Sequence, residues 1–259
     1  MTASSATSGP STTSRTAALC LHGITANGQV FEPLAERLAG RFRIVSIDQR
    51  GHGRAAKPAS GYAGNDYARD IMELMQEKTL LIGHSLGARN ALLAGARYPA
   101  KVAAVVAIDF TPFIEPEVFD ALEARVAGGE RMFFSLEDVK AYLRSRYPRL
   151  PEDAIERRAR HGYECVDGKW RPLASPAAMR ETCAGLREDL SATMKQISVP
   201  VLLLRGAHSK LVSPEAWAKT KALRPDLPAR EIPDADHYVH EEQPAAVAAA
   251  VIEFWKAIQ

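Results

Sequence analysis

The sequence predicts an α/β fold, with a mostly parallel sheet covered by helices on both faces and a helical lid inserted between two core strands. Two observations predict this class. Short apolar runs alternate along the chain with longer segments whose apolar residues recur every three to four positions, the pattern of strands alternating with helices. The alternation is interrupted once, over residues 112–194, where several helical patterns follow one another without a convincing buried strand.

The strands are predicted from apolar runs that suit burial on both faces of a parallel sheet. A shorter strand is expected near 229–233, after the last of these runs. The longer runs are AALCLH (17–22), FRIVSID (42–48), TLLIGH (79–84), VAAVVAID (102–109) and VPVLLLR (199–205).

The helices are predicted from the helical spacing of apolar residues between these runs. Those of the core are expected over 30–39, 66–77, 86–98, 213–223 and 244–258. Those of the inserted block are expected over 116–127, 136–146, 151–161 and 176–193.

The predicted domain organisation follows these changes of pattern. The 259 residues, 46% of them hydrophobic, are enough for one large domain with a sizeable core. The Ser/Thr-rich stretch 1–15 lacks the apolar segment of a secretory signal and is predicted to be a flexible tail. Residues 16–111 and 195–259 are predicted to form the core, and 112–194 the lid. The lid is expected over the carboxyl edge of the sheet, where open α/β sheets bind ligands.

The composition argues against several classes of partner. The net charge is +2 with both signs interspersed, so no basic stripe indicates a nucleic-acid partner. No apolar run approaches the roughly 18–20 residues that span a bilayer, so no membrane partner is expected. Cys20, Cys165 and Cys183 are odd in number and lack the spacing of metal ligands, which favours a reducing compartment, the cytoplasm. A small-molecule ligand without a metal is expected, and homodimerisation is left open.

A catalytic motif follows the third apolar run. Residues 83–87 read GHSLG, a G-x-S-x-G between a predicted strand and a predicted helix. A serine at the tip of so sharp a turn projects its oxygen above the sheet, and the turn requires small neighbours two residues either side. The helix that follows directs its N-terminus at any negative charge that develops there. Ser85 is therefore the predicted nucleophile.

Two further segments complete the predicted machinery. LHGITANG (21–28) ends the first core strand, so the backbone N–H of Ile24 can supply half of an oxyanion hole and the N–H of Leu86 the other half. DADHYVHEEQP (234–244) places His237 in a loop between the last strand and the last helix. His237 is the predicted general base. The other histidines either lie in glycine turns or have no partner pattern in the sequence.

These motifs resemble the α/β-hydrolase superfamily over residues 17–259. The resemblance implies a Ser–His–acid triad and no cofactor. The sequence departs from the family in one respect: about 16 residues before the first core strand are too few for the usual antiparallel pair, so a shortened sheet edge is expected. The residues that carry the resemblance are His22-Gly23, DQRGHG (48–53), the GHSLG turn and ADH (235–237).

The acid of the triad is the point where this sequence departs from the family pattern. The commonest position lies three residues beyond the glycine after the penultimate strand, and here it is Ser209. Some branches of the family take the acid from the neighbouring strand, which ends here at Asp109. Asp109 is the predicted acid, with a cap for the turn into Pro112 as its alternative role, and replacing Ser209 with alanine is expected to be nearly silent. The other carboxylates considered are Asp48, Asp234 and Asp236.

Segments of the lid and loops narrow the resemblance to an amide-hydrolysing branch of the family that acts on a small dicarboxylate enamide in vitamin B6 breakdown. Arg125, Arg146 and Tyr147 match positions that this branch uses to bind the substrate, although most cations of a lid are merely solvated. The similar segments are ITANGQVFEPLAERL (24–38), AVVAIDFTPFIEPEVFDALEARV (104–126), YLRSRYPRLPEDAI (142–155), YECVDGKWRPLAS (163–175) and LRPDLP (223–228).

Alternatives to this function stay open at the level of sequence. An esterase, a lactonase or a carbon–carbon bond hydrolase of ring-cleavage products would share every triad residue and differ only in the lid. A non-catalytic protein of the same fold that binds a ligand under its lid would also retain these motifs. Whether Ser85 acts as the nucleophile or His237 activates water directly is equally undecided by the sequence.

Overall fold

The central sheet has six parallel strands. A computed structural model describes residues 15–113, 115–127 and 131–259. The strand order is β2-β1-β3-β4-β7-β8, and a separate hairpin pairs β5 with β6. The strands are β1 (Thr16–Leu21), β2 (Phe42–Ile47), β3 (Thr79–His84), β4 (Val102–Ile108), β5 (Tyr163–Val166), β6 (Lys169–Pro172), β7 (Val201–Gly206) and β8 (Ala229–Ile232).

The helices follow the predicted positions with shifts of a few residues. Helix 30–39 begins as a 3₁₀ turn at Gly28–Phe31 and becomes α-helical where Pro33 occupies the first turn. The α-helices are α1 (Glu32–Leu38), α2 (Gly64–Leu74), α3 (Leu86–Arg97), α4 (Pro116–Ala127), α5 (Leu136–Arg146), α6 (Glu152–Gly162), α7 (Pro176–Gly185), α8 (Ser191–Gln196), α9 (Pro214–Leu223), α10 (Val239–Glu242) and α11 (Pro244–Ala257).

The sheet is buried on both faces, as its apolar runs predict. All residues of β3 and β7 are buried. One face packs under α1 and α11, with Leu34 and Val251 inaccessible to solvent, and the other packs under α2, α3 and α9, with Ile71 and Trp217 buried. Each such side chain contributes about 1.5–3 kcal/mol through removal from water. Within the described residues β2 is an edge strand and the sheet has no antiparallel strand.

The register aligns the ends of the strands. Leu21 of β1 lies opposite Gly83 of β3, His84 lies opposite Ile108 of β4, and Ile108 lies opposite Leu204 of β7. The residues that follow each strand therefore meet at one edge. This edge collects the segments that begin at His22, Ser85, Asp109 and Gly206.

The chain between β4 and β7 forms helices α4–α8 and the β5–β6 hairpin, which together we call the lid. The expectation that this block holds no strand was wrong at 163–172, because these strands are half-exposed rather than buried apolar runs. Asp167 and Gly168 join them, both with positive φ, as a two-residue hairpin turn requires. The predicted helix 176–193 is two helices, separated after Gly185.

The lid packs on its own apolar side chains and on those of the core. Helix α5 packs on α6, and their cluster includes Leu143, Tyr147 and Ile155. Helix α4 packs on α7, where Leu122 and Met179 are buried. The predicted tail at 1–15 lies outside the described residues except for Arg15.

Candidate active site

Ser85 has the strained backbone of a nucleophile turn. It lies between β3 and α3 with φ 53° and ψ −116°, a positive φ that costs a side-chain-bearing residue on the order of 1–3 kcal/mol. Its N–H donates to the carbonyl of Ile108 at 2.9 Å. A Cβ at Gly83 would lie 2.2 Å from the carbonyl oxygen of Gly87, so a larger residue does not fit. The GHSLG prediction of a sharp strand-to-helix turn is confirmed.

Asp109 lies one strand away, directly after β4, and is fully buried. Its Oδ1 accepts a hydrogen bond from the N–H of Gly206 at 2.9 Å. Its Oδ2 accepts from the hydroxyl of Ser209 at 2.6 Å and contacts Nδ1 of His237 at 2.8 Å. The structure therefore brings the predicted acid and the predicted base together, and it places Ser209 on the same carboxylate oxygen.

His237 lies in the turn between β8 and α10, with its backbone tied to the nucleophile turn. Nε2 of His84, the residue before Ser85, donates to the carbonyl of His237 at 2.8 Å. The rings of His84 and His237 are 4.6 Å apart. Because Nδ1 is occupied by Asp109, Nε2 is the nitrogen that is left for a substrate or nucleophile.

The other carboxylates that the sequence offered have different partners. Asp48 accepts from the backbone N–H groups of Gly28 and Arg54, both at 2.8 Å, and so ties two loops together. Asp236 accepts from the backbone N–H of His237 at 2.8 Å and not from its ring. Within the described residues, Asp109 is the only carboxylate in hydrogen-bond contact with a ring nitrogen of His237.

Burial disfavours charge on both members of this pair. It raises the pKa of the Asp109 carboxyl, and the hydrogen bonds from Ser209 and Gly206 oppose that shift by stabilising the ionised form. Burial, and then the cation of Arg125, lower the pKa of His237 below its ordinary value. The resting histidine is therefore neutral, which is the form that can accept a proton.

The two residues of the predicted oxyanion hole, Ile24 and Leu86, lie in segments that approach Ser85. A Cβ at Gly23 would lie 3.4 Å from Cβ of Ser85, so the loop that carries Ile24 approaches the nucleophile closely because residue 23 is glycine. Within the described part of the chain, the N–H groups of Ile24 and Leu86 donate no hydrogen bond. Both donors are free for a developing negative charge.

A buried network that the sequence did not reveal supports this loop. Nε2 of His22 accepts from the backbone N–H of Gln49 at 3.0 Å, and the amide of Gln49 donates to the carbonyl of His22 at 2.6 Å. Asn90 of α3 in turn donates to Gln49 at 2.8 Å. The network links the Ile24 loop to the helix behind Ser85. Gln49 lies within the DQRGHG motif, so the sequence marks this segment as part of the family pattern. It gives no indication of the hydrogen-bond partners of Gln49.

The lid contributes cations next to this machinery. Arg125, Arg146 and Tyr147 line a cavity shared with Asp236 and His237, and they also line a second cavity next to the Ile24 loop. Nε of Arg146 donates to the hydroxyl of Tyr147 at 3.1 Å. Within residues 15–113, 115–127 and 131–259, neither Arg125 nor Arg146 has a carboxylate partner. The structure thus brings the predicted substrate-binding residues together beside the histidine.

The described residues contain neither a candidate metal site nor a candidate membrane-spanning helix. No group of three His, Cys, Asp or Glu side chains there is arranged to hold a metal ion. None of the helices described is both long and apolar enough to cross a membrane.

The sequence profile of the alpha/beta hydrolase family matches residues 18–250. The chain belongs to this family. It is 53% identical over 240 residues to the 2-(acetamidomethylene)succinate hydrolase of Mesorhizobium japonicum, covering 91% of this chain and 86% of that protein. It is 28% identical to a putative 2-succinyl-6-hydroxy-2,4-cyclohexadiene-1-carboxylate synthase of Bacillus subtilis, covering 93% and 91%.

A solved member of the alpha/beta hydrolase family has nearly the same structure. The crystal structure of E-2-(acetamidomethylene)succinate hydrolase superposes with a TM-score of 0.92 at 52% identity, covering 94% of this chain and 92% of that one. The predicted fold class is therefore confirmed, as is the expectation of a hydrolase.

Proposed function

We propose that the chain is a serine hydrolase that cleaves the amide of (E)-2-(acetamidomethylene)succinate, a small dicarboxylate enamide, without a cofactor. The products are acetate and an enamine that decomposes to succinic semialdehyde, ammonia and carbon dioxide. The observation that carries the substrate class is the pair Arg125 and Arg146, two guanidinium groups beside His237 that have no carboxylate partner among the described residues. The identity to the Mesorhizobium enzyme supports the same substrate.

The two arginines suit a dicarboxylate. A planar guanidinium can bind a carboxylate at two points, which fixes both its position and its orientation. Arg146 is partly buried and its guanidinium lies over the rings of Tyr142 and Tyr147. These neighbours are neutral rings, so the positive charge remains available for a substrate carboxylate. The hydroxyl of Tyr147 adds a hydrogen-bond group at the same cavity. We infer that a substrate held by these two arginines extends its acetyl group towards His237, which lines the same cavity.

The proposed chemistry begins with a proton transfer. The hydroxyl of Ser85 gives its proton to Nε2 of His237 while Oγ attacks the acetyl carbonyl carbon. The carbonyl electrons move to the oxygen, which the N–H groups of Ile24 and Leu86 bind, each worth about 3–4 kcal/mol. The protonated His237 then donates its proton to the nitrogen, the C–N bond breaks and the enamine leaves. Water, deprotonated by His237, hydrolyses the acetyl-serine to acetate.

In both steps Asp109 holds His237 in the tautomer that can accept a proton and stabilises the ring once it is protonated. Its carboxylate accepts the Nδ1–H, so the imidazole presents an unprotonated Nε2 to the serine. Once the ring takes up a proton, the carboxylate stabilises the positive charge. An acetylated Ser85 peptide, trapped by acid quench and found by mass spectrometry, is the expected intermediate; its consistent absence during turnover would favour direct attack by water.

The cysteines support a reducing, cytoplasmic location. Cys20, Cys165 and Cys183 are all free thiols. Burial raises the pKa of Cys20 to about 12 and that of Cys183 to about 11, so these two stay protonated and unreactive. None of them forms a disulfide, whereas secreted proteins commonly contain disulfides.

Replacing Arg146 with glutamine tests the proposed substrate class. We expect KM for the dicarboxylate enamide to rise about 10- to 100-fold, the equivalent of one lost hydrogen bond to a charged group of about 1.5–3 kcal/mol. The rate with a neutral aryl acetate should stay unchanged, because that substrate has no carboxylate. Arg160→Gln is the control, since Arg160 is an exposed lid residue paired with Glu156. Equal losses on both substrates would favour an esterase or lactonase.

A further inference from the structure

A buried ion pair joins the lid to the loop of the catalytic histidine. Arg158 of α6 and Glu241 of α10 are both almost inaccessible, with 7% and 0% of their side chains exposed. Nε of Arg158 donates to both carboxylate oxygens of Glu241 at 3.1 Å, and Nη2 donates to one of them. Such a two-point pair fixes orientation as well as distance.

Two tyrosine rings close around the same guanidinium. Its carbon lies 4.9 Å from the ring centre of Tyr147 and 4.6 Å from that of Tyr238, and the two rings are 4.9 Å apart. These distances form a compact triangle of one cation and two aromatic rings. A desolvated cation is attracted electrostatically to the face of an aromatic ring, so both rings are held against the guanidinium.

Each member of this triangle belongs to a part of the proposed site. The hydroxyl of Tyr147 accepts a hydrogen bond from Arg146. Tyr238 follows His237 in sequence, and their rings are 4.9 Å apart. Glu241 lies four residues after His237, in the short helix α10 that follows the histidine loop. Arg158 also lines a cavity with Arg125 and Arg146, but among the residues that the structure describes it alone of the three has a carboxylate partner.

We propose that Arg158, held by Glu241, is a positioning residue: it fixes Tyr147 of the lid against Tyr238 and so sets His237 relative to the bound substrate. The inference rests on the proposed function for the substrate, but the geometry it describes is independent of which acyl group is cleaved. Arg158 does not touch the reacting atoms in this assignment.

The charge of Arg158 acts at the same place. After burial and Arg125, it is a further cause that lowers the pKa of His237. Burial raises the pKa of Tyr147, but the nearby cations lower it, with Arg158 acting most strongly among them. The overall shift of the Tyr147 pKa is downward. The charged and titratable groups around His237 come from every element packed against it. They are Asp109 after β4, Arg125 of α4, Arg146 of α5, Arg158 of α6, Lys210 after β7, His84 of the nucleophile turn, Asp236 and Tyr238 in its own loop, and Glu242 of α10.

The variants must avoid leaving one charge buried and unpaired, because that alone strongly destabilises a protein. Arg158→Met/Glu241→Met removes both charges and keeps apolar volume. Arg158→Lys keeps the charge but loses the planar two-point contact. Arg157→Met is the matched control: Arg157 is the neighbouring residue of α6 and also links the lid to the core, through Glu32.

The experiment measures kcat, KM and the pH dependence of kcat/KM for the dicarboxylate enamide, with thermal unfolding to verify folding. We expect the double variant to be folded, with kcat reduced about 10- to 100-fold, KM changed less, and the acid limb moved to higher pH because the histidine loses a neighbouring cation. Arg158→Lys should lose kcat but keep the wild-type acid limb. Arg157→Met should match the wild type.

The rate of Ser85 labelling by a fluorophosphonate separates this inference from the proposed function. That rate depends on a well-placed His237 and needs no dicarboxylate, so we expect it to fall in the double variant to the same degree as kcat. A wild-type protein that does not cleave the enamide would overturn the proposed function alone. A folded double variant with wild-type kcat, pH profile and labelling rate would overturn the role of Arg158.

Discussion

The ends of β4 and β7 lie side by side, and they supply two different side chains to the same point. β4 ends in Asp109, whose Oδ2 contacts His237 at 2.8 Å. β7 ends in Gly206, and three residues later Ser209 occupies the place where most of the family carries its acid. The hydroxyl of Ser209 donates to that same Oδ2 at 2.6 Å.

This comparison indicates how the acid proposed for the triad can come from either of two neighbouring strands without a change of mechanism. Parallel strands bring their carboxyl ends together, so two neighbouring ends can reach one histidine. With the carboxylate on β4, the position on β7 is free to hold a hydrogen-bond donor. The hydroxyl of Ser209 and the N–H of Gly206 then offset part of the cost of burying the charge.

Asp109→Asn should have the largest effect, because it removes the charge at the end of β4 and keeps the shape. We expect kcat to fall by about 10⁴, since the imidazole loses both its working tautomer and its counter-charge. Steady-state kinetics of the purified variant measure this, with circular dichroism to verify the fold. If more than a tenth of the activity survives, the acid has to be assigned elsewhere.

Ser209→Ala should have a smaller but measurable effect. The sequence alone suggested that this change would be nearly silent, but the structure gives Ser209 a direct hydrogen bond to the acid. Losing a hydrogen bond to a charged group costs about 1.5–3 kcal/mol, or about 10- to 100-fold in kcat if it acts wholly on the ionised triad.

The control for this change is Ser213→Ala. Ser213 is a nearby serine whose hydroxyl caps α9 and donates to Glu115, away from His237. Its replacement should lower stability by about 1 kcal/mol and leave kcat unchanged. Equal activity in the Ser209 variant and the wild type would show that the β7 end does not support the acid.

The proposed nucleophile and the proposed base could both be predicted from the sequence because local patterns mark them. Ser85 needs glycines at fixed distances for its turn, and His237 lies in a loop whose place in the chain order is diagnostic. Asp109 needed one further step, the knowledge that its strand neighbours that of Ser85. That adjacency follows from the parallel topology and not from any local pattern.

The contacts across the lid could not be predicted in the same way. Arg158 and Glu241 are 83 residues apart, and each looks in the sequence like a solvated charge. The hydrogen bond of Ser209 to Asp109 spans 100 residues. The β5–β6 hairpin was missed because its strands are short and half-exposed, although the Asp167-Gly168 turn was a signal for it.

The bond between Asp109 and His237 can be observed directly by proton NMR of protein labelled with nitrogen-15 in histidine. We predict a low-field Nδ1–H resonance of His237, assigned by its disappearance in His237→Asn, that persists in Ser209→Ala and is lost in Asp109→Ala. A resonance that survives unchanged in Asp109→Ala would contradict the assignment of the acid to the end of β4.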